Sequence, residues 1–261
     1  MRRSLWSTSM LTVAVAACFV CVDAARAKKP DNPGGRDDGG GQNGGGVIYY
    51  RYHGDIYTMN DDGSGVAVVA GFPAEFSGWG EPSYEVHNGK RWFLQTHDVP
   101  GEYYPDNHPD GTLKNYANRR VFYALSDAGN AVELDVPPDL EPLGAKWTLD
   151  DGYVSFPGRR WDIDQESPTY GSVLEGGLYR TQICFDPTTG DITGAGASEL
   201  AFPMPLVPSN AYRPSSDPTP GPDMLNFDWA PDGRQFVFDA VASEELRIGN
   251  LDNADTGEVE V

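Results

Sequence analysis

The chain has 261 residues and carries 39 Asp and Glu against 19 Lys and Arg, a formal net charge of −20 at neutral pH. That balance repels nucleic-acid phosphates and anionic lipid, and disfavours both as partners. With 31 glycines and 21 prolines punctuating the chain, and apolar residues alternating with period two, long helices are excluded and an all-β chain is predicted.

The N-terminus reads as a secretory leader. Arg2 and Arg3 form a basic start, Met10 to Val22 is an apolar run, and Ala25-Arg26-Ala27 is a small-x-small cleavage site. The run is shorter than the roughly 20 apolar residues of a membrane span, and no other segment approaches that length. Cleavage after Ala27 predicts a secreted or periplasmic protein. Val15-Ala16-Ala17-Cys18 loosely resembles a lipobox and offers a lipid anchor at Cys18 as the alternative. Cleavage also removes Cys18 and Cys21 and leaves Cys184 alone, flanked by Ile183 and Phe185, as a buried small hydrophobe rather than a nucleophile. Residues 28–46 follow, Gly-rich and without a large apolar side chain, so nothing there offsets the entropy of ordering them: a flexible linker is predicted.

From residue 47 to 261 two motifs alternate. The first places an aromatic residue three or four positions ahead of Asn-Gly or Asp-Gly and then an alternating apolar strand. It occurs at Tyr84 with Asn88-Gly89, at Trp147 with Asp151-Gly152, and at Trp229 with Asp232-Gly233. Each copy is a β-hairpin in which Asn or Asp followed by Gly supplies the positive φ angles of a tight turn. The second motif is an apolar strand running into an acidic, Gly-containing turn: Asp55 to Gly65, Val121 to Gly129, Leu178 to Gly190 and Leu246 to Gly257. The turn glycines of the second series are 61 to 67 residues apart and those of the first 63 and 81, the signature of a repeat architecture with two hairpins per unit. Two insertions interrupt it, each predicted to be a surface loop: Gly101 to Asn118, and the Pro-rich stretch from Ala201 to Met224.

The segments Asp55-Ile56-Tyr57-Thr58-Met59-Asn60-Asp61-Asp62-Gly63-Ser64-Gly65 and Trp229-Ala230-Pro231-Asp232-Gly233-Arg234 resemble the TolB-type β-propeller repeat, which is WD-repeat-like. Tyr84 stands where that repeat has Trp, and Leu149-Asp150 where it has Ser-Pro or Ala-Pro, so two units are looser copies. The resemblance implies an all-β propeller of about three blades plus part of another. The ring is then incomplete, and the chain is either truncated or completed by blades from elsewhere.

Candidate chemistry is sparse. His97 and His108 flank the first insertion, and with Asp106 they are the candidates for holding a divalent ion. His87 falls in a hairpin turn, where solvent exposure is predicted. The Asn60 to Gly65 turn lacks the alternating oxygen ligands of a calcium loop. Asp162, Asp164 and Glu166 alternate after Trp161, predicting a solvated acidic face. No nucleophile elbow and no Cys/His arrangement is present. The leading expectation is therefore a non-catalytic platform for a protein or peptide, without a cofactor. The alternatives are a carbohydrate-active, oligosaccharide lyase-like propeller with a metal near His97 and His108, and the propeller half of a truncated peptidase.

Overall fold

The computed structural model describes residues 47–52, 55–70, 84–107, 113–134, 136–148, 152–208, 220–224, 226–230, 232–253 and 259–260. Among them the regular structure is β, with no α-helix and one 3-10 turn at Leu251–Asn253. The strands form four antiparallel sheets, each built from consecutive strands. The first contains β1 (Val47–Tyr52), β2 (Asp55–Asn60) and β3 (Ala67–Ala70). The second is a four-stranded meander of β4 (Tyr84–His87), β5 (Lys90–Asn107), β6 (Leu113–Ser126) and β7 (Ala131–Leu134).

In the third sheet β8 (Leu140–Pro142) and β9 (Lys146–Trp147) both pair with β10 (Tyr153–Trp161). The next strand, β11 (Val173–Phe185), pairs with β10, β12 (Ile192–Ala195) and β13 (Glu199–Met204). A two-stranded ribbon of β14 (Leu206–Pro208) and β15 (Pro220–Pro222) follows. The fourth sheet is β16 (Phe227–Trp229), β17 (Gln235–Ala240), β18 (Glu245–Asn250) and β19 (Val259–Glu260).

The sheets stack face to face in chain order, because the middle strands carry apolar residues on both faces. Tyr49 of β1 packs on Tyr84 and Phe93 of the second sheet, with ring centroids 4.9 and 5.8 Å apart. Trp92, Leu94, Phe122 and Leu134 then meet Trp147, Phe156, Tyr179 and Ile183 of the third sheet. On the far side of the third sheet Leu178, Phe202 and Met204 meet Phe227, Trp229, Phe236 and Phe238 of the fourth. Burying each large apolar side chain is worth about 1.5–3 kcal/mol, so these interfaces hold the stack together.

The turns carry the local chemistry the stack needs. Asn88 (φ 47°) and Gly89 (φ 80°) close the hairpin between β4 and β5 with two successive left-handed residues. At Gly249 the requirement is space: a Cβ there would be driven into the Phe236 ring packed across the sheet.

Trp147 and Trp229 are buried and Tyr84 half-buried, and each lies on the first hairpin strand of its sheet. The Trp147 indole Nε1–H donates to the Trp92 carbonyl at 2.7 Å, and the Trp92 Nε1–H donates to the Gly190 carbonyl at 2.8 Å. Both bonds cross from the second sheet to the third. No acceptor among the described residues meets the buried Trp229 indole N–H.

Both predicted surface loops need correction. Within Gly101 to Asn118, β5 and β6 continue as an extended hairpin with register shifts between Val99 and Pro105. Its anchor is Tyr104, fully buried, which stacks on Trp161 and donates its hydroxyl proton to the Leu140 carbonyl at 3.0 Å. Within Ala201 to Met224 the ends enter the core, since Phe202, Met204 and Met224 are buried; 209–219 lies outside the described residues. Aromatic and methionine side chains in a polar context gave the burial advantage that loop composition obscured.

Candidate functional site

Ion pairs gather around the turn at Asn88-Gly89. Lys90, just after the Asn88-Gly89 turn, pairs with Asp191 of the next sheet at 2.5 Å, and Arg91 pairs with Asp127 at 3.6 Å. Asn88 donates its side-chain amide to the Thr188 carbonyl across the same junction. Every lysine and arginine whose side chain is described has a carboxylate within 4.0 Å. An anionic ligand must therefore compete with a carboxylate wherever it lands on these groups.

A cleft of about 410 Å³ opens between the third and fourth sheets. On one wall β11 carries Arg180, whose guanidinium lies 5.0 Å over the Tyr153 ring and donates through Nε to Glu199 on β13 at 2.6 Å. On the other wall the hairpin between β16 and β17 supplies Gly233 and Arg234, and the 3-10 turn supplies Leu251 and Asp252. Arg234 Nη1 donates to both oxygens of Asp252, at 2.9 and 3.3 Å. Leu200, Ala201 and Leu251 complete the lining with apolar surface.

The hairpin wall is held from below. Asp232 Oδ1 accepts the backbone N–H groups of Arg234 and Gln235 at 2.9 and 3.1 Å, which holds its carboxyl below the usual carboxylate range. The Leu251 N–H donates to the Arg234 carbonyl at 3.0 Å and ties the two halves of that wall together. The cleft thus combines two guanidinium–carboxylate pairs with apolar surface. Its ion pairs are water-exposed, and such pairs are worth only ~0–1 kcal/mol, so a ligand can open them cheaply.

A second charged group lies deep between the second and third sheets. Glu141 is 1% exposed and accepts from Arg159 Nε at 2.7 Å, Trp161 Nε1 at 2.9 Å and Arg120 Nη1 at 3.2 Å. Arg159 is itself buried and donates onward to the Pro220 carbonyl at 2.9 Å. Arg120 reaches out to Asp98 at 3.2 Å. This group is closed to ligands and serves to register β8, β10 and the β14–β15 ribbon.

Of the predicted metal candidates, only His97 has a described side chain. His97 lies on β5, half-buried, with its ring 5.9 Å edge-on from Tyr123. His108 and the Asp106 side chain lie outside the described residues. No group of three or more His, Cys, Asp or Glu side chains is placed to hold a metal ion among those described.

Three further expectations are corrected. His87 is half-buried rather than solvated, its ring stacked on Phe185 at 3.5 Å. Of the carboxylates after Trp161, Asp164 and Glu166 are exposed but Asp162 is buried rather than solvated: it accepts the hydroxyls of Ser167 and Thr169, both at 2.5 Å, which lowers its pKa. Cys184 is half-buried and disulfide-bonded, not a lone thiol; its partner lies outside the described residues.

Sequence reasoning missed Arg180, Glu199, Leu251 and Asp252. Arg234 was within reach of it, as the residue that follows Asp-Gly in the best repeat copy. The others meet it only through sheet stacking.

No protein-family model matches the chain, and no curated protein matches it in sequence. Among solved structures it is similar to an oligogalacturonate lyase in complex with manganese, at 15% identity and a TM-score of 0.33, over 82% of this chain and 61% of that one. It is also similar to the tricorn protease, at 7% identity and a TM-score of 0.36, over 82% of this chain and 25% of that one. The chain thus spans less than two thirds of either protein, and at TM-scores this low neither likeness carries an argument about it. No helix among the described residues is long and apolar enough to cross a membrane.

Proposed function

We propose that the chain is an exported, non-catalytic binding module of TolB-type propeller architecture, which captures a protein or peptide segment in the cleft between its third and fourth sheets. The leader at residues 1–27 and the Gly-rich residues 28–46 support export on a tether. The repeat spacing and the stacking of consecutive antiparallel sheets support the propeller reading.

The observation that carries the ligand assignment is the combination of ion pairs and apolar surface in the cleft. Arg180 with Glu199 and Arg234 with Asp252 flank the apolar Leu200, Ala201 and Leu251. A peptide with one apolar side chain between an acidic and a basic residue can exchange into both pairs without leaving a charge unpaired. A purely anionic ligand has to displace two carboxylates.

Fluorescence anisotropy with labelled peptides tests the reading. A peptide in which aspartate and lysine flank leucine should bind, and its all-acidic counterpart should not. Arg234→Glu should weaken binding roughly tenfold or more, the equivalent of about 1.4 kcal/mol. Equal binding of the two peptides, or indifference to Arg234→Glu, would overturn it.

A further inference from the structure

Building on the peptide reading of the cleft, we infer that its inner end is a carboxylate subsite. Ser155 Oγ and Trp229 Nε1 bind one oxygen of a peptide carboxylate there, while Lys146 and Arg180 supply the compensating charge. Ser155 is fully buried and Trp229 9% exposed, and neither the hydroxyl nor the indole N–H has a hydrogen-bond partner among the described residues. Leaving buried donors unmet is costly, and an acceptor brought by a ligand relieves both at once.

Alternation and register place the two groups in one junction. Val154 and Phe156 of β10 belong to the core between the second and third sheets, so Ser155 between them faces the fourth. Ser155 pairs with Lys146 on β9 and with Arg180 on β11, and Arg180 pairs with Glu199 on β13. These residues form one cross-strand row on the face turned to the fourth sheet. Phe227 and Trp229 of β16 pack toward the third sheet, in one cluster with Leu178 and Phe202. The Lys146 Nζ lies 5.7 Å from the Phe227 ring centre and 4.0 Å from Asp228 Oδ1, which sets β9 and β10 opposite β16. Arg180 is the lining residue of the cleft nearest β10, so a ligand in the cleft reaches Ser155 past that guanidinium.

The preceding junction treats the same positions differently. Trp92, three residues after Gly89, and Trp147 both meet a backbone carbonyl there through their indole N–H groups, at 2.8 and 2.7 Å. Ser155 holds the corresponding place three residues after Gly152, and a hydroxyl reaches far less of the way across a junction than an indole does.

The donor set selects a carboxylate. An indole N–H only donates and a serine hydroxyl is able to, so their complement is an acceptor, and two cations in the same row make that acceptor an anion. A carboxylate has two oxygens, one for the buried donors and one for Arg180. The carboxylates that now face these cations, Glu199 and Asp228, are 56% and 76% exposed, and water-exposed pairs of this kind exchange readily. The acidic residue of the peptide therefore opens the Arg180 pair rather than the Arg234 pair.

Nuclear magnetic resonance of the indole N–H groups in the purified chain tests this, with the Trp229 signal identified by its loss in Trp229→Phe. An end-capped peptide with aspartate and lysine flanking leucine should move that signal downfield, and its asparagine counterpart should not. The asparagine peptide with a free C-terminus separates the two sources: a shift there assigns the site to a chain end, and a shift with aspartate alone assigns it to a side chain. In anisotropy Ser155→Ala and Trp229→Phe should each weaken the carboxylate-bearing peptide roughly tenfold, with circular dichroism showing both variants folded. Sodium acetate, compared with sodium chloride at equal ionic strength, should move the Trp229 signal and leave those of Trp92 and Trp147 in place. Peptide binding with the Trp229 signal unmoved would overturn the subsite and spare the peptide reading. An acetate shift in a chain that binds no peptide would sink the peptide reading and keep the subsite. No shift with either probe, or equal affinity of wild type and both variants, would overturn the subsite.

Discussion

Replacing Trp147 and Trp229 by phenylalanine, one at a time, isolates a single hydrogen bond in two otherwise matched settings. Both indoles are buried, both sit on the first hairpin strand of a sheet, and both pack against aromatic neighbours. They differ at the nitrogen. The Trp147 Nε1–H donates at 2.7 Å to the carbonyl of Trp92, itself 1% exposed, whereas the Trp229 N–H meets no acceptor among the described residues. Trp147→Phe therefore removes one buried cross-sheet hydrogen bond, worth about 0.5–1.5 kcal/mol net, from a carbonyl that keeps its place in the β4–β5 ladder. Trp229→Phe removes a donor that was already unmet, which is neutral or favourable in that respect.

The packing loss from indole to phenyl is common to both, so the difference reports the hydrogen bond. It should be about 1 kcal/mol, with Trp147→Phe the less stable. At about 2–4 °C per kcal/mol for a domain of this size, the melting temperatures should differ by roughly 2–4 °C. Urea denaturation followed by far-ultraviolet circular dichroism measures the free energies, and calorimetry the midpoints. Equal losses in the two variants would show that the cross-sheet indole bond contributes nothing and that ring packing alone holds the second sheet to the third.

Other consequences follow from charge, titration and processing. Glu141→Gln leaves Arg159 as an uncompensated buried cation and should cost about 3–5 kcal/mol in urea denaturation, whereas a surface change such as Glu199→Gln should cost under about 1 kcal/mol. The Tyr123 hydroxyl is pushed up to about 12, chiefly by desolvation and then by its hydrogen bond and repulsion with Glu133. Because its folded value lies above the unfolded value of about 10, its stabilisation is complete below the unfolded value and is lost as pH rises through the folded one. Phenolate absorbance should show a late-titrating tyrosine that disappears in Tyr123→Phe and titrates earlier in Glu133→Gln. Cleavage after Ala27 predicts that mass spectrometry of exported material finds Lys28 as the first residue. An intact leader would contradict that processing.

The sequence disclosed the hairpins and hid the way they meet. Asn88-Gly89 and the alternating Tyr57, Met59 and Phe236, Phe238 patterns depend on interactions within a few residues, and turn chemistry and period-two alternation expose them directly. The insertions were misread because Tyr104, Phe202 and Met224 sit among prolines, glycines and charges, and only a neighbouring sheet shows that they are core. His87 is the same case in miniature, since its stacking on Phe185 depends on a partner nearly a hundred positions away. The cleft was illegible for that reason. Arg180 and Arg234 belong to different repeats, and no local pattern states that their walls face each other.

The two kinds of ion pair in this molecule separate stability from recognition. Glu141 and Arg159 are dry, so their mutual attraction is matched against a large desolvation cost and either one alone is severely unfavourable. Arg234 and Asp252 are 65% and 60% exposed, so water compensates either one when its partner leaves. The same guanidinium–carboxylate chemistry therefore acts as a rigid register between sheets in one place and as an exchangeable contact in the other. Changes at Glu141 should move the denaturation midpoint without a specific effect on peptide selectivity in the folded fraction. Changes at Arg234 should move selectivity and leave the midpoint where it was. A molecule in which both sites moved both quantities would have its cleft mechanically coupled to the buried cluster, and the cleft could not then serve as an independent binding site.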